Sequence, residues 1–427
     1  MKVLSVLYHK ISGENPLLVG RLSYDSGQGY FEYDSSFLMY ELPLSPFELK
    51  HHNLLQESKR DPFNGIHGVF NDSLPDGWGL YVMDKDLKKK GVDVDALTPI
   101  DRLAYIGDRA MGALSYQPDE GINLFDLKGQ HINLEGLAKE SVDLYTGETE
   151  EVLNHLAING TPSGGARPKI LIGISAYETV HGAFDLPPGF EHWIAKFPTG
   201  TNQEKKAEGS VEYLYSLMAR AAGINIPETR LIPGNDNNAY FLIKRFDRNK
   251  HNQRVHMHTL AGLIHANFRT ADYTYEGLFN VCRAVTKSHF EVKELFKRML
   301  FNVVTGNRDD HTKNFSFLMD NNGKWFNSPA YDITFNKGIQ GEHSMLVGHS
   351  GKNIKWDDIK YLAQLADISE KEARIIADEV IESLSLWRNE AIHYNIPKSL
   401  VYDIFSYMEN QKKLLQPNKS YPVLNLG

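Results

Sequence analysis

The stretch from Asn314 to Asp332 dictates a piece of architecture by itself. Asn314-Phe315-Ser316-Phe317-Leu318-Met319 predicts a strand, Asn321-Asn322-Gly323 predicts a primed turn, and Lys324-Trp325-Phe326-Asn327 begins a return strand. A hairpin closed at Asn322-Gly323 sets Asn314 roughly opposite Tyr331, and so beside Asp332. An amide oxygen and a carboxylate are therefore expected side by side.

The residues leading into the hairpin are Gly306-Asn307-Arg308-Asp309-Asp310-His311-Thr312-Lys313-Asn314, and Ser328-Pro329-Ala330-Tyr331-Asp332 follow it. Asp309 and Asn314 have the offset that phosphoryl-transfer loops place between a base-bearing Asp and a metal-binding Asn, with a second metal-binding Asp later in the chain. Mg²⁺ takes a few hard oxygen ligands from protein and the rest from water and phosphate, so Asn314 and Asp332 read as a metal ledge. Asp309 reads as the group that orients or deprotonates an incoming hydroxyl. The bland alternative is a polar loop in which Asp310 or Asn307 caps the next segment, and an isolated motif this short would not exclude it. The hairpin and the later carboxylate favour the site.

A chain of 427 residues, 41% hydrophobic and 23% charged, has room for two or three domains with sizeable cores. The single cysteine, Cys282, excludes an internal disulfide framework, fits a reducing cytoplasm and reads as a buried structural thiol. No signal-peptide pattern and no apolar run of membrane-spanning length is present, so a cytoplasmic protein without membrane contact is expected. A formal net charge of −8 argues against a surface that grips nucleic acid unaided. The basic run from Lys85 to Lys90 reads as the last turn of a helix stopped by Gly91. His256 and His258, with His251 and His265 nearby, lack a carboxylate or cysteine to complete a ligand set and read as structural.

An α+β chain of three regions is expected: 1–125, small and β-rich; 126–247, with a glycine loop and a strand lysine; and 248–427, mostly helical and bearing the Asp309 loop. In the first region Val69 to Gly79 is dense in turn residues and shows no catalytic pairing. In the second, Thr161-Pro162-Ser163-Gly164-Gly165-Ala166-Arg167-Pro168-Lys169 precedes the strand Ile170–Ile174. Paired glycines let backbone N–H groups approach an anion, and Arg167 and Lys169 add charge, though a plain loop has the same composition. The strand His192 to Phe197 puts Trp193, Ala195 and Phe197 on one face and Lys196 on the other. Lys196 reads as a phosphate lysine or as an edge-strand charge. The helix from about Gln203 to Ala222 buries Val211, Leu214, Tyr215, Met218 and Ala222; Glu208 and Glu212 flank that stripe, and Glu212 is preferred as the partner of Lys196. Arg245, Asp247 and Arg248 end the next strand and fit either an adenine-facing connection or a surface ion-pair cluster.

Taken together, Ser163–Lys169, Lys196-Phe197-Pro198, Ala219–Pro227, Lys244–Arg248, Gly306–Asn314 and Ser328–Ile333 resemble the HipA-type toxin kinases of bacterial toxin-antitoxin modules. Leu74-Pro75-Asp76-Gly77 and Gly107–Pro118 resemble that family's small N-terminal domain, and Ile376–Trp387 its last helices. The resemblance implies a two-lobed fold of protein-kinase type, related to lipid kinases, and a serine/threonine kinase using ATP and Mg²⁺. Its implied acceptor is a protein, an aminoacyl-tRNA synthetase in the best understood members, with growth arrest or persistence as the outcome. Asp309 is then the catalytic base, Asn314 and Asp332 are the metal ligands, and Glu212 supports Lys196. The ATP site would draw on Gly164, Gly165, Ala166, Arg167, Lys169, Lys196, Lys244, Arg245, Phe246, His311, Lys313 and Tyr331. A HipB-like helix-turn-helix antitoxin is the implied partner, with DNA reached only through it.

The family phosphorylates a serine in its glycine-rich loop, commonly three positions before the Gly-Ala pair, where this chain has Pro162. Ser163 and Thr161 flank it, and Ser163 is the preferred acceptor; phosphate there would repel ATP and pull the loop outward. Two other functions stay open: a small-molecule phosphotransferase, which shares the Asp309–Asn314–Asp332 pattern, and a kinase-fold corepressor without turnover. The intact set of Lys196, Asp309, Asn314 and Asp332 argues against the second.

Overall fold

The computed structural model describes residues 2–10, 15–121, 130–149, 154–160, 164–270 and 272–416. The chain forms two compact units: Met1–Tyr213 with Pro227–Phe268 and Thr312–Pro329, and Leu214–Ile226 with Arg269–His311 and Ala330–Gly427.

The first unit holds two five-stranded antiparallel sheets and a three-stranded one. One sheet comprises Val3–Tyr8, Leu17–Asp25, Gln28–Tyr33, Gln56–Glu57 and Leu114–Gln117, in the spatial order fourth, third, second, first, fifth. Its tightest hairpin turns through Ser26 and Gly27, both at positive φ (49° and 83°), the geometry of a primed turn. The helix Gly77–Lys89 follows, with Lys88 and Lys89 in its last turn and Gly91 at φ 79° beyond it, as the basic run predicts.

The second sheet has the order Thr179–His181, Lys169–Ile174, Glu191–Lys196, Ala239–Lys244, Thr229–Pro233. Trp193, Ala195 and Phe197 alternate into a core with Ile170, Ile172, Tyr240 and Leu242, covered by Trp78 and Val82 and by the helices Leu134–Thr146 and Asn154–Gly160. The helix over 134–146 has a narrow apolar face, Leu137, Ala138 and Leu144. The helix expected from Gln203 to Ala222 breaks at Ala207 into Gln203–Lys206 and Glu208–Ala221, and all five expected apolar positions are buried.

The hairpin corrects the sequence reading. Its strands are Ser316–Met319 and Trp325–Asn327, pairing Phe317 with Asn327, Leu318 with Phe326 and Met319 with Trp325. Asn314 closes a 3₁₀ turn, Thr312–Asn314, and lies outside the ladder rather than opposite Tyr331. The turn is not the primed type: Asp320 pairs with Lys324 and its side chain accepts from the Asn322 and Lys324 amides, at 2.8 and 2.9 Å, leaving only Gly323 left-handed at φ 77°. A loop closed by an Asp side chain and one left-handed glycine is the three-residue alternative.

The second unit is helical: Tyr275–Thr286, His289–Thr305, Trp356–Leu365, Glu370–Ser383, Ser385–Glu390 and Lys398–Leu415. Thr274, Ser288 and Ser369 cap three of these helices with side-chain oxygens. His289–Thr305 buries Val292, Leu295, Phe296, Met299, Leu300, Val303 and Val304 and ends at Gly306, φ 75°, so the Asp309 loop starts directly from a rigid helix. Cys282 is buried in Tyr275–Thr286, as expected. No described helix is long and apolar enough to cross a membrane.

Candidate active site

Lys196 leaves its strand on the face opposite Trp193 and Ala195, and its ammonium lies 2.5 Å from Glu212 Oε1. The other oxygen, Oε2, accepts from Arg167 Nη1 at 2.7 Å, and Arg167 Nε donates to the Phe197 carbonyl at 2.8 Å. Of the two glutamates the sequence left open, Glu212 is thus the partner. Glu208 sits a turn earlier, accepting from the Thr199 amide and hydroxyl and from Lys205. Lys196 and Glu212 are almost completely buried, at 7% and 3% side-chain exposure, so this is a desolvated ion pair and not a surface one. Lys169 is paired across the strands with Lys196 and donates to the Gly164 carbonyl at 2.5 Å. Arg167 Nη2 is buried without a hydrogen-bond partner among the described residues. Two cations on one carboxylate, with Lys169 across the strands from Lys196 and a spare guanidinium N–H on Arg167, suit a polyanion.

The glycine loop is held from a direction that sequence reasoning missed. Asp76 Oδ1 accepts from the Gly165 amide, and Oδ2 lies 2.6 Å from Lys313 Nζ. The Trp78 amide donates to the Gly165 carbonyl at 2.9 Å, and Trp78 Nε1 to the Lys169 carbonyl at 3.0 Å. Burial alone would raise the Asp76 carboxyl, but Lys313 and the Gly165 amide outweigh it and hold the group below the ordinary carboxylate range. No periodicity signals this; the only trace was the place of Leu74-Pro75-Asp76-Gly77 among the segments of the resemblance. Lys313 also lies 4.5 Å from the centroid of the Phe268 ring.

Lys244 pairs with Glu191, and Phe246 is half-buried. Arg245, Asp247 and Arg248 are not a surface cluster. The Asp247 carboxylate, 1% exposed, accepts from Arg245 Nε and Nη2 at 2.8 and 2.7 Å, from Arg248 at 2.9 Å and from the Gly112 amide at 2.7 Å. Burial opposes its charge, yet the two guanidinium groups hold its carboxyl far below the usual range. The Arg245 side chain is thus turned into this knot, while its backbone amide donates to His192.

In the second unit Asp309 is half-exposed, with His311 Nε2 3.7 Å from its Oδ1. Asp310 is its opposite. Its fully buried carboxylate accepts from Tyr275 Oη at 2.7 Å, His343 Nδ1 at 2.8 Å and the Ser344 amide at 2.8 Å. Asn302 donates to Tyr275 Oη, and Asn307 donates to Asn302. Asp310 and Asn307, which the bland reading treated as caps, therefore anchor the loop, so that of two adjacent carboxylates one is fixed inside and the other faces out. Tyr331 and Asp332 are half-buried, and Asp332 has a left-handed backbone, φ 52°, a conformation that non-glycine residues keep only where their surroundings demand it. Asn314 belongs to the first unit, and Asp309, His311, Tyr331 and Asp332 to the second. Ser163 and Thr161 lie outside the described residues. Among the described residues no His, Cys, Asp and Glu cluster forms a preassembled metal site. His256 instead bonds the Leu44 carbonyl, and His258 bonds Asp72.

The family model described as the HipA N-terminal domain matches residues 14–117, and that of the HipA-like C-terminal domain matches residues 161–387. A Sinorhizobium fredii protein named "Putative kinase Y4dM" is 27% identical over 224 residues, 48% of this chain and 53% of that protein. A Haemophilus influenzae protein named in the same terms is 27% identical over 135 residues, 29% of this chain and 39% of its own length. The chain thus spans about half or less of the length of these relatives. The HipA chain of Shewanella oneidensis MR-1, solved with HipB and operator DNA, matches with a TM-score of 0.70 over 97% of both chains at 16% identity. The α+β fold expected from the sequence, with a β-rich N-terminal region and a mostly helical C-terminal one, is the fold shared with that chain.

Proposed function

The chain belongs to the HipA family, and from that premise we propose that it is an ATP- and Mg²⁺-dependent serine/threonine protein kinase that arrests growth by phosphorylating a component of translation such as an aminoacyl-tRNA synthetase. The observation that carries this reading is the buried pairing of Lys196 with Glu212, with Arg167 on the same carboxylate. A strand lysine fixed by a helix glutamate is the device by which kinases hold the α- and β-phosphates. The donors fit the ligand: Gly164 to Lys169, Lys196 and the buried N–H of Arg167 receive the phosphates, and the backbone from Lys244 to Phe246 lines the adenine.

Asp309 takes the proton of the acceptor hydroxyl as its oxygen bonds to the γ-phosphorus and ADP leaves. His311, Lys313 and Tyr331 border the phosphate chain. Asn314 and Asp332 are the residues that would hold Mg²⁺, which when bound would neutralise charge on the transferring group. Ser163, with Thr161 as second choice, takes a regulatory phosphate. A HipB-like helix-turn-helix protein is the partner that reaches DNA; the related Shewanella HipA was solved with such a partner and its operator.

Radiolabelled transfer from ATP into aminoacyl-tRNA synthetases tests the assignment. Asp309→Asn is expected to lose about 10²- to 10⁴-fold in rate while staying folded. Transfer that persists in Asp309→Asn or Asp332→Ala protein overturns it. Mass spectrometry after incubation with Mg-ATP checks the loop: unmodified Ser163 and Thr161 in active enzyme removes the regulatory part.

A further inference from the structure

Asp76 occupies the N-cap position of the helix Gly77–Lys89, yet its side chain makes no bond to that helix. An N-cap aspartate ordinarily bonds the amides of its own first turn. Here both oxygens reach far along the chain, one to the Gly165 amide and the other to Lys313 Nζ, and the side chain is only 15% exposed. Three consecutive residues share the grip. Trp78 donates to the carbonyl of the same Gly165 whose amide Asp76 accepts, and a Cβ on Gly77, φ 46°, would come within 2.6 Å of that carbonyl oxygen. The approach therefore requires glycine at position 77.

We propose that Asp76 is a positioning residue for phosphoryl transfer, tying the glycine loop that receives the nucleotide to Lys313 within the first unit. This rests on the kinase reading given above. One carboxylate fixes two groups that approach phosphate from different parts of the chain. The Gly165 amide sets the conformation of the loop, and the Lys313 ammonium sets a charge beside it. An ammonium has three donors, so the Asp76 contact orients Lys313 without by itself exhausting it. Neither Asp76 nor Trp78 need touch the substrate. Because transfer depends steeply on the placement of charge around the moving phosphoryl group, loss of this tie affects the rate more than the affinity.

The test uses the full chain with Asp76→Asn and Asp76→Ala, and Asp72→Asn as the comparison. Asp72 is a nearby carboxylate that bonds His258 and Thr259 and takes no part in the site. Asp76→Asn is expected to lower kcat by between about 10- and 100-fold with KM for ATP changed less than about 3-fold. In nucleotide-free protein, hydrogen exchange of the Gly165 amide is expected to be slow in wild type and accelerated in Asp76→Ala. Asp72→Asn is expected to melt at lower temperature with transfer retained. Wild-type or faster transfer by Asp76→Asn overturns the proposal, the faster result marking Asp76 as a plug at the phosphate position. An equal loss of transfer in Asp72→Asn at matched stability also overturns it. So does a wild-type Gly165 amide exchanging like an unprotected glycine, whatever the variants do. If wild type transfers no phosphate, the kinase reading fails, while the exchange experiment still reports on the tie.

Discussion

Glu212 serves two cations with one carboxylate, and each oxygen is committed to a different one. A buried ion pair contributes little net stability, but removing one partner strands the other in a medium that cannot solvate it. Glu212→Ala leaves Lys196 and Arg167 in that position, so urea denaturation is expected to show about 3–5 kcal/mol of destabilisation, with a smaller loss for Glu212→Gln. Arg167 and Lys196 are legible in the sequence as separate basic side chains of a glycine loop and a strand. That they lean on one carboxylate is not, because Glu208 and Glu212 flank the same apolar stripe and only the capture of Glu208 by Thr199 and Lys205 separates them. Geometry alone can mislead in the other direction. Ser45 Oγ lies 3.0 Å from His258 Nε2, whose Nδ1 lies 2.6 Å from Asp72, the order of a hydrolytic triad. Ser45 and His258 are both buried, so this relay fastens residues of the N-terminal sheet region to the strand His256–Thr259.

Among the elements, the hairpin Ser316–Met319 with Trp325–Asn327 shows where local rules stop. Its existence and both its strands follow from alternation and the Asn-Gly pair, but its turn type depends on which side chain competes for the loop amides. Asp320 wins that competition and converts a primed turn into a three-residue loop. Gly323 then carries the strained position, and a Cβ there would meet the Glu41 carbonyl oxygen at 3.0 Å. Gly323→Ala is expected to cost about 1–2 kcal/mol of stability from the left-handed backbone, measured by thermal or denaturant unfolding. An effect below a few tenths of a kcal/mol would mean that the loop relaxes to another turn.

For the molecule as a whole, acid sensitivity follows from buried imidazoles. Burial pushes His67 and His256 down to about 4, and burial with the nearby Arg245 and Arg248 pushes His192 to about 2. These folded-state values lie below the unfolded one of about 6.5, so the stabilising contribution is full above that pH. It is lost as pH falls toward 4, because the unfolded chain binds protons that the folded chain refuses. Denaturant midpoints are expected to drop between pH 6.5 and 4, with a slope approaching about 1.4 kcal/mol per pH unit for each histidine kept neutral. A flat profile across that window would contradict the burial of these rings. The sequence by itself determined the fold class, the Lys196 strand, the glycine loop and the Asp309 loop, since each is written in contiguous residues and their local periodicity. Only the tertiary structure decided that Asp76 grips Gly165 and Lys313, that Asp310 is an internal anchor, and that Arg245, Asp247 and Arg248 form a buried knot with Gly112. Those contacts join residues far apart in the chain, and which polar group is buried against which is settled by packing and desolvation rather than by spacing.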